Sequence, residues 1–192
     1  MRIGAIILAA GEGKRLNGRI KALIQIGSVT FLDKAISLLD SPEICERIVV
    51  LGYKADEVKR ALTFSNVSIA INDFWKNGMT SSLKVGTSNL SKNLDGFMVM
   101  PVDLPLLKKE TLIKTLETFQ KDSSKIVRPR YRKIPGHPVI FPIEFVEKII
   151  ELDDNLEPNT ILKRSIDRVK YFDTDQSCVK DLDTEVELDL IL

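Results

Sequence analysis

Histidine and tryptophan each occur once and cysteine twice in this 192-residue chain, which leaves little for chemistry that needs histidine or thiol clusters. Cys45 and Cys178 lack metal-ligand spacing and are too few for a disulfide framework, so a reducing, cytoplasmic setting is expected. An excess of charge is missing too, with 28 Lys plus Arg against 27 Asp plus Glu. The molecule as a whole therefore has no pull on nucleic acid or on an anionic membrane, and any anion site must be local. No apolar run reaches the length of a bilayer span, and the N-terminus enters an apolar strand pattern without a signal-peptide pattern. The expectation is a soluble protein with no nucleic-acid or membrane partner. Its length suits one sizeable core, and no repeat or linker divides it, so a single domain over 1–192 is expected.

What is present begins with Ile3 to Lys21, IGAIILAAGEGKRLNGRIK, an apolar run that breaks into glycine and then into positive charge. This reads as a buried strand ending in an open loop. Ala9, Ala10, Gly11 and Gly13 leave room for backbone N–H groups to approach a phosphate, and Lys14, Arg15, Arg19 and Lys21 supply compensating charge. A Walker loop fails because Arg19 and Ile20 follow Gly18, and a dinucleotide fingerprint fails because Leu16 stands where its third glycine belongs. From residues alone, the competing account is an ordinary strand-to-helix turn with solvated lysines.

Helix and strand patterns then alternate. Helices are predicted over Phe31 to Leu39, Ala55 to Phe64, Ser81 to Asn89 and Lys109 to Lys121, with strands at Arg47 to Leu51, Val67 to Ile71 and Phe97 to Met100. This rhythm predicts an α/β fold, three-layered and Rossmann-like, with a mostly parallel sheet and ligands at the carboxyl ends of its strands. Beyond Lys121 the pattern changes. Strands at Ile126-Val127 and Val139 to Phe141 flank a basic segment, Arg128 to Pro138, which reads as a solvated or anion-binding loop. Helices at Glu144 to Leu152 and Thr160 to Ser165, a strand at Val169 to Phe172 and a terminal helix at Glu185 to Leu190 complete the reading.

Several side chains could carry chemistry. Asp103 follows an apolar strand between two prolines, where a carboxylate could hold Mg²⁺ or cap a turn. Asp181 and Asp183, two apart on an extended segment, could share a metal or cap the terminal helix. Gly78, Ser81 and Ser82 mark a helix start, beside which Trp75 reads as a core residue. His137, alone of its kind, would by itself be read as structural.

Four motifs together resemble the molybdenum cofactor nucleotidyltransferase-like family, and most of all its cytidylyltransferases. They are Leu8-Ala9-Ala10-Gly11-Glu12-Gly13-Lys14-Arg15 with Lys21 beyond it, Asn72-x-x-Trp75-x-x-Gly78-Met79-x-x-Ser82-Leu83-x-x-Gly86, Asp103-Leu104-Pro105 and Gly136-His137-Pro138-Val139. The Asp181-Leu182-Asp183-Thr184 ending is similar to the family's acidic C-terminal motif. In this chain the lysine stands six residues after Arg15, where the family spacing is usually five. The resemblance implies transfer of a nucleoside monophosphate, CMP from CTP, to a phosphorylated acceptor such as molybdopterin, with Mg²⁺ as cofactor and release of pyrophosphate. It implies that Lys14 and Arg15 hold the triphosphate, Lys21 neutralises the reacting phosphates and Asp103 holds the metal, with Asp181 and Asp183 as further candidates. It places Leu8, Ala9, Ala10, Gly11, Gly13, Gly78 and Ser82 around the nucleotide, and His137 near the acceptor. A sugar- or polyol-phosphate acceptor, or a nucleotide-binding regulatory protein without turnover, are the alternatives.

Overall fold

The computed structural model describes residues 1–189 except 14, 15 and 17. Its centre is β1 (Ile3–Ala9), buried at every position. Side chains alternate across a strand, and here both faces are apolar. Ile3, Ala5, Ile7 and Ala9 join one core cluster, while Ile6 and Leu8, with Ala10 beyond the strand end, join a second. Each face therefore needs its own helical cover, and a three-layer arrangement follows.

After β1 and the loop comes a short antiparallel hairpin, β2 (Gln25–Ile26) and β3 (Val29–Thr30), which the sequence pattern did not reveal. Two-residue strands are too short for alternation to register. The helix α1 (Phe31–Leu38) is capped by Thr30, whose hydroxyl accepts from the Asp33 amide at 3.0 Å. The chain continues through β4 (Ile44–Leu51), α2 (Ala55–Ala61), β5 (Ser68–Ile71), α3 (Met79–Ser88), β6 (Gly96–Pro101) and α4 (Lys109–Lys121). It ends with β7 (Ile126–Tyr131), β8 (Ile134–Pro135), β9 (Val139–Pro142), α5 (Phe145–Ile150), α6 (Asn159–Arg164), β10 (Val169–Asp173) and α7 (Glu185–Asp189). Phe31, Val58, Leu112 and Leu188 place α1, α2, α4 and α7 over the first core, and Leu83, Phe145 and Ile161 place α3, α5 and α6 over the second.

The main sheet runs β10-β7-β9-β6-β1-β4-β5, with β8 paired to β7. The β6, β1, β4 and β5 strands are mutually parallel, whereas β9 is antiparallel to β6 and to β7. This is the expected mixed, mostly parallel α/β fold. From β1 the chain passes to β4 on one side and later returns to β6 on the other. The order reverses at β1, and a crevice opens beyond the carboxyl ends of such strands.

Some boundaries differ from the sequence reading. The second helix stops at Ala61, because Leu62 takes up an extended conformation, and the third starts at Met79 rather than Ser81. The segment read as a basic loop is largely strand: β7 continues to Tyr131 and turns back as β8. Leu190, assigned to the terminal helix, lies outside the described residues.

Candidate active site

The crevice holds a cavity of about 580 Å³, walled by the β1 end from Leu8 to Gly13, by Trp75 and Ser82, and by Asp103 after β6. The two strand ends are tied together, since the Val102 amide donates to the Leu8 carbonyl at 3.1 Å. Gly13 has φ 64°, and a Cβ there would sit 2.6 Å from the Arg19 carbonyl oxygen, so the loop can fold back on itself only with glycine. Lys14 and Arg15, assigned to the triphosphate, lie outside the described residues.

Ser82 reaches this cavity because α3 lies unusually close to the sheet. A Cβ on Gly86 would come within 2.6 Å of Ile6, so the missing side chain sets the approach. Ser82, one turn earlier on the same face, is thereby held over the β1 end. Buried Asn72 fixes it: the amide nitrogen donates to Ser82 Oγ at 2.9 Å and to Ser81 Oγ at 2.8 Å, and Asn72 Oδ1 accepts from the Phe74 amide. With its oxygen accepting from Asn72, the Ser82 hydroxyl hydrogen is available to donate into the cavity. Gly78 (φ 105°) lines the same wall ahead of α3.

Trp75 packs against the second core cluster, in keeping with its reading as a core residue, and also faces the cavity. It is half-buried, packs edge-on to Tyr53 with ring centroids 5.4 Å apart, and lines the cavity. An aromatic wall beside a hydroxyl donor and an apolar strand end suits a nucleobase.

At the cavity's other end Lys21 Nζ donates to Asp103 Oδ2 at 2.8 Å and to Asp183 Oδ1. Burial alone would depress the ammonium pKa, but Asp103 and Asp183 outweigh it and raise the value. The extra residue between Arg15 and Lys21 therefore does not move the lysine out of the site. Asp183 arrives through the C-terminal segment, where buried Leu182 donates its amide to the Asp103 carbonyl at 2.9 Å. Glu187 accepts from the Asp183 and Thr184 amides at 2.9 Å, and Thr184 Oγ1 accepts from the Glu187 amide, so Thr184 and Glu187 form the capping box. Asp181 is exposed, and its carboxyl is pushed up first by partial desolvation and then by Asp103 and Asp183.

A second cavity, of about 340 Å³, adjoins the first and shares Met79, Pro101 and Asp103 with it. Arg128, His137 and Asp181 line it. His137 is half-buried as a residue, yet its Nδ1 is shut off from solvent and has no hydrogen-bond partner among the described residues. Burial, and then the Arg128 guanidinium, lower the imidazole pKa to about 4. The unfolded chain takes up this proton near the ordinary value of 6.5. Native stability contributed by the neutral ring is therefore full above that value and is lost as pH falls toward the folded pKa. Relative to His137→Gln, the unmodified protein is expected to lose about 2 kcal/mol more stability between roughly pH 7 and pH 5. Denaturant melts of both proteins at the two pH values check this, and parallel losses would show that the ring titrates as it does in water.

The structure thus brings Leu8 to Gly13, Lys21, Gly78, Ser82 and Asp103 around one cavity, with His137 and Asp181 beside Asp103 in the next. Several lining residues lie outside the site read from the sequence, among them Lys76, Val102, Arg128 and Met79. Arg128 was assigned to a loop, although its IVRPRY context has strand character, and Met79 stands at the wall between the cavities although the Gly78-Met79 motif contains it.

A family profile described as the MobA-like NTP transferase domain matches residues 5–169. The chain belongs to this family. Among curated proteins, the bifunctional protein GlmU of Trichodesmium erythraeum is 28% identical over 172 residues, covering 79% of this chain and 35% of that protein. GlmU of Clostridium kluyveri is 33% identical over 115 residues, 59% of this chain and 25% of its own length. The chain spans about a third or less of these relatives. Rv0371c of Mycobacterium tuberculosis H37Rv superposes with a TM-score of 0.85 at 22% identity, covering 100% of this chain and 98% of that one. Its manganese complex gives a TM-score of 0.81. A CMP:2-keto-3-deoxy-manno-octonic acid synthetase complexed with CTP gives 0.77 at 12% identity, covering 100% of this chain and 97% of that one. At these identities the superpositions establish the nucleotidyltransferase fold that this MobA-like NTP transferase domain adopts. No helix among its described residues is long and apolar enough to cross a membrane.

Proposed function

We propose that this chain works as a single nucleotidyltransferase domain that transfers CMP from CTP to a phosphomonoester acceptor of the molybdopterin class and releases pyrophosphate. The observation that carries the reading is the pair of adjoining cavities that share Asp103, with Lys21 and Asp183 at their junction. A transfer reaction needs two substrates to meet at one charged point. The first cavity takes the nucleotide and the second the acceptor.

Asp103 and Asp183 bring two hard oxygen donors to one cationic point, now the Lys21 ammonium. Among the described residues no group of three or more His, Cys, Asp or Glu could hold a metal alone. Two carboxylates suit Mg²⁺, which keeps several waters and takes its remaining ligands from substrate phosphates. Once bound there, the ion would supply charge neutralisation and polarisation at the phosphates. The manganese complex of Rv0371c is in keeping with a divalent cation.

The acceptor phosphate is already largely ionised at neutral pH, so its oxygen can attack the α-phosphorus without a dedicated general base. One oxygen–phosphorus bond forms, the bond from the α-phosphorus to the bridging oxygen breaks, and pyrophosphate leaves with the electron pair. Lys21, on exchanging a carboxylate for a phosphate oxygen, offsets charge at the reacting centre, while Lys14 and Arg15 take the triphosphate tail. Ser82 donates to a base carbonyl, and Trp75 flanks the ring.

Base choice rests on Ala10. It is 4% exposed, lines the nucleotide cavity together with Trp75, and lies against Gly52. Its methyl narrows the space that a purine needs, a discrimination worth about 1–3 kcal/mol, or roughly 10- to 200-fold. CTP is expected to be preferred over GTP in kcat/KM, and Ala10→Gly is expected to narrow the ratio. Pyrophosphate release with Mg²⁺, four nucleoside triphosphates and a panel of molybdopterin, sugar-phosphate and polyol-phosphate acceptors tests the assignment. GTP preference in the unmodified protein would overturn the base assignment. Release with a polyol phosphate but not molybdopterin would transfer the acceptor to the polyol-phosphate class. Silence with every pair would point to a regulatory nucleotide binder.

A further inference from the structure

The acceptor cavity contains an arginine that the fold treats unusually. Arg128 is 8% exposed on β7, deep enough that desolvation is the main influence on its guanidinium. A charge taken out of water normally finds a carboxylate, because removing it from water costs several kcal/mol per ion. Arg128 has none among the described residues. Its Nε donates to the Gly136 carbonyl at 2.9 Å and its Nη1 to Asn159 Oδ1 at 3.1 Å, both neutral oxygens. A guanidinium has five N–H donors, so three remain without a protein acceptor among the described residues.

The neighbouring groups repeat the pattern. His137 lines the same cavity, and its buried Nδ1 has no hydrogen-bond partner among the described residues. The cavity's carboxylates, Asp103 and Asp181, belong to the acidic group around Lys21, whereas the groups that act on Arg128 are Tyr171 and Cys178. The cavity thus has an acidic pole at the reaction centre and a separate cationic pole held rigid by two hydrogen bonds.

We propose that Arg128 is the acceptor's anchoring residue, and that it binds an oxyanion of the acceptor, phosphate or carboxylate, through the planar fork of its free donors. This rests on the nucleotidyl-transfer reading only in calling the ligand an acceptor. A fork of this kind matches two oxygens of one oxyanion, which a lysine cannot do. Acceptors without an oxyanion are expected to be poor substrates.

His137 is the only histidine, so its imidazole resonance reports on this cavity without ambiguity. The test titrates sodium phosphate, and separately sodium acetate, into the unmodified protein and into Arg128→Gln at constant ionic strength. A saturable shift of the His137 resonance is expected with at least one anion, and the anion that saturates first names the oxyanion class. In Arg128→Gln the apparent Kd is expected to rise about 10- to 100-fold. No saturable response to either anion in the unmodified protein, or an equal response in the variant, overturns the proposal. Should Arg128→Gln fail to fold, Arg128→Lys carries the test, since it keeps the charge and loses the fork. Its response is expected to weaken about tenfold, and an unweakened response overturns the proposal. Pyrophosphate release measured in parallel keeps the two readings apart. An intact anion response without release sinks the transfer reading alone, and release without an anion response sinks the Arg128 site alone.

Discussion

Asp103→Asn is expected to lower Mg²⁺-dependent pyrophosphate release by about a thousandfold, roughly 4 kcal/mol of transition-state stabilisation, while leaving the protein folded. The amide keeps the size of the side chain and removes the charge that makes a hard-cation site effective. Folding is expected to survive because the structural tie at this residue is its backbone carbonyl, which accepts from the Leu182 amide, and Lys21 retains Asp183. Turnover and melting temperature measured on the same preparation decide the matter. Near-normal turnover in a folded variant would remove Asp103 from the metal. Companion variants rank the C-terminal pair: Asp183→Asn is expected to impair turnover more than Asp181→Asn, because Asp183 shares the Lys21 ammonium with Asp103 and Asp181 does not.

Lys21→Met is the second large effect, a loss of turnover of about 10- to 150-fold, corresponding to roughly 1.5–3 kcal/mol for one charge-assisted contact to a phosphate. The side chain is partly exposed and stands at the first residue of a short 3-10 helix, Lys21–Leu23, so the loss is expected in kinetics more than in stability. Its removal also leaves Asp103 and Asp183 facing each other without the shared cation. Their mutual repulsion then favours a divalent ion, and the variant is expected to need less Mg²⁺ for half-maximal activity even as kcat falls. The pH dependence has a definite sign. The folded pKa of Lys21 lies above its ordinary 10.5, so its ion-pair contribution is fully present below that value and is lost only as pH rises through the folded pKa. Between about pH 6 and 9 the stability difference between Lys21→Met and the unmodified protein is expected to stay flat. Unchanged turnover in Lys21→Met would transfer the role to Arg19, two residues before it.

Much of this molecule is written in local pattern. The parity of Ile3, Ala5 and Ile7 against Ile6 and Leu8 requires cover on both faces of the first strand, and the alternation of helix and strand requires a parallel sheet. The loop glycines and the aspartate after an apolar strand follow from the same reading, because strand ends on one edge of such a sheet are neighbours whatever the distance between them in sequence. Other features are beyond any local window. Lys21 meets carboxylates 82 and 162 residues away, a pairing created by the return of the C-terminal segment over β6. The burial of Arg128 depends on its place on β7, between β10 and β9, and on Gly136 and Asn159 closing around its guanidinium, so in the sequence it is only one basic residue among several. Trp75 lines a cavity while packing against the second core cluster, because the missing side chain of Gly52 lets it close over the end of β4. Sequence by itself determined the layers and the edge where the chemistry sits, since both follow from periodicity. Tertiary structure decided which charges meet and which stay unpaired, since desolvation and pairing depend on neighbours that only the folded chain supplies.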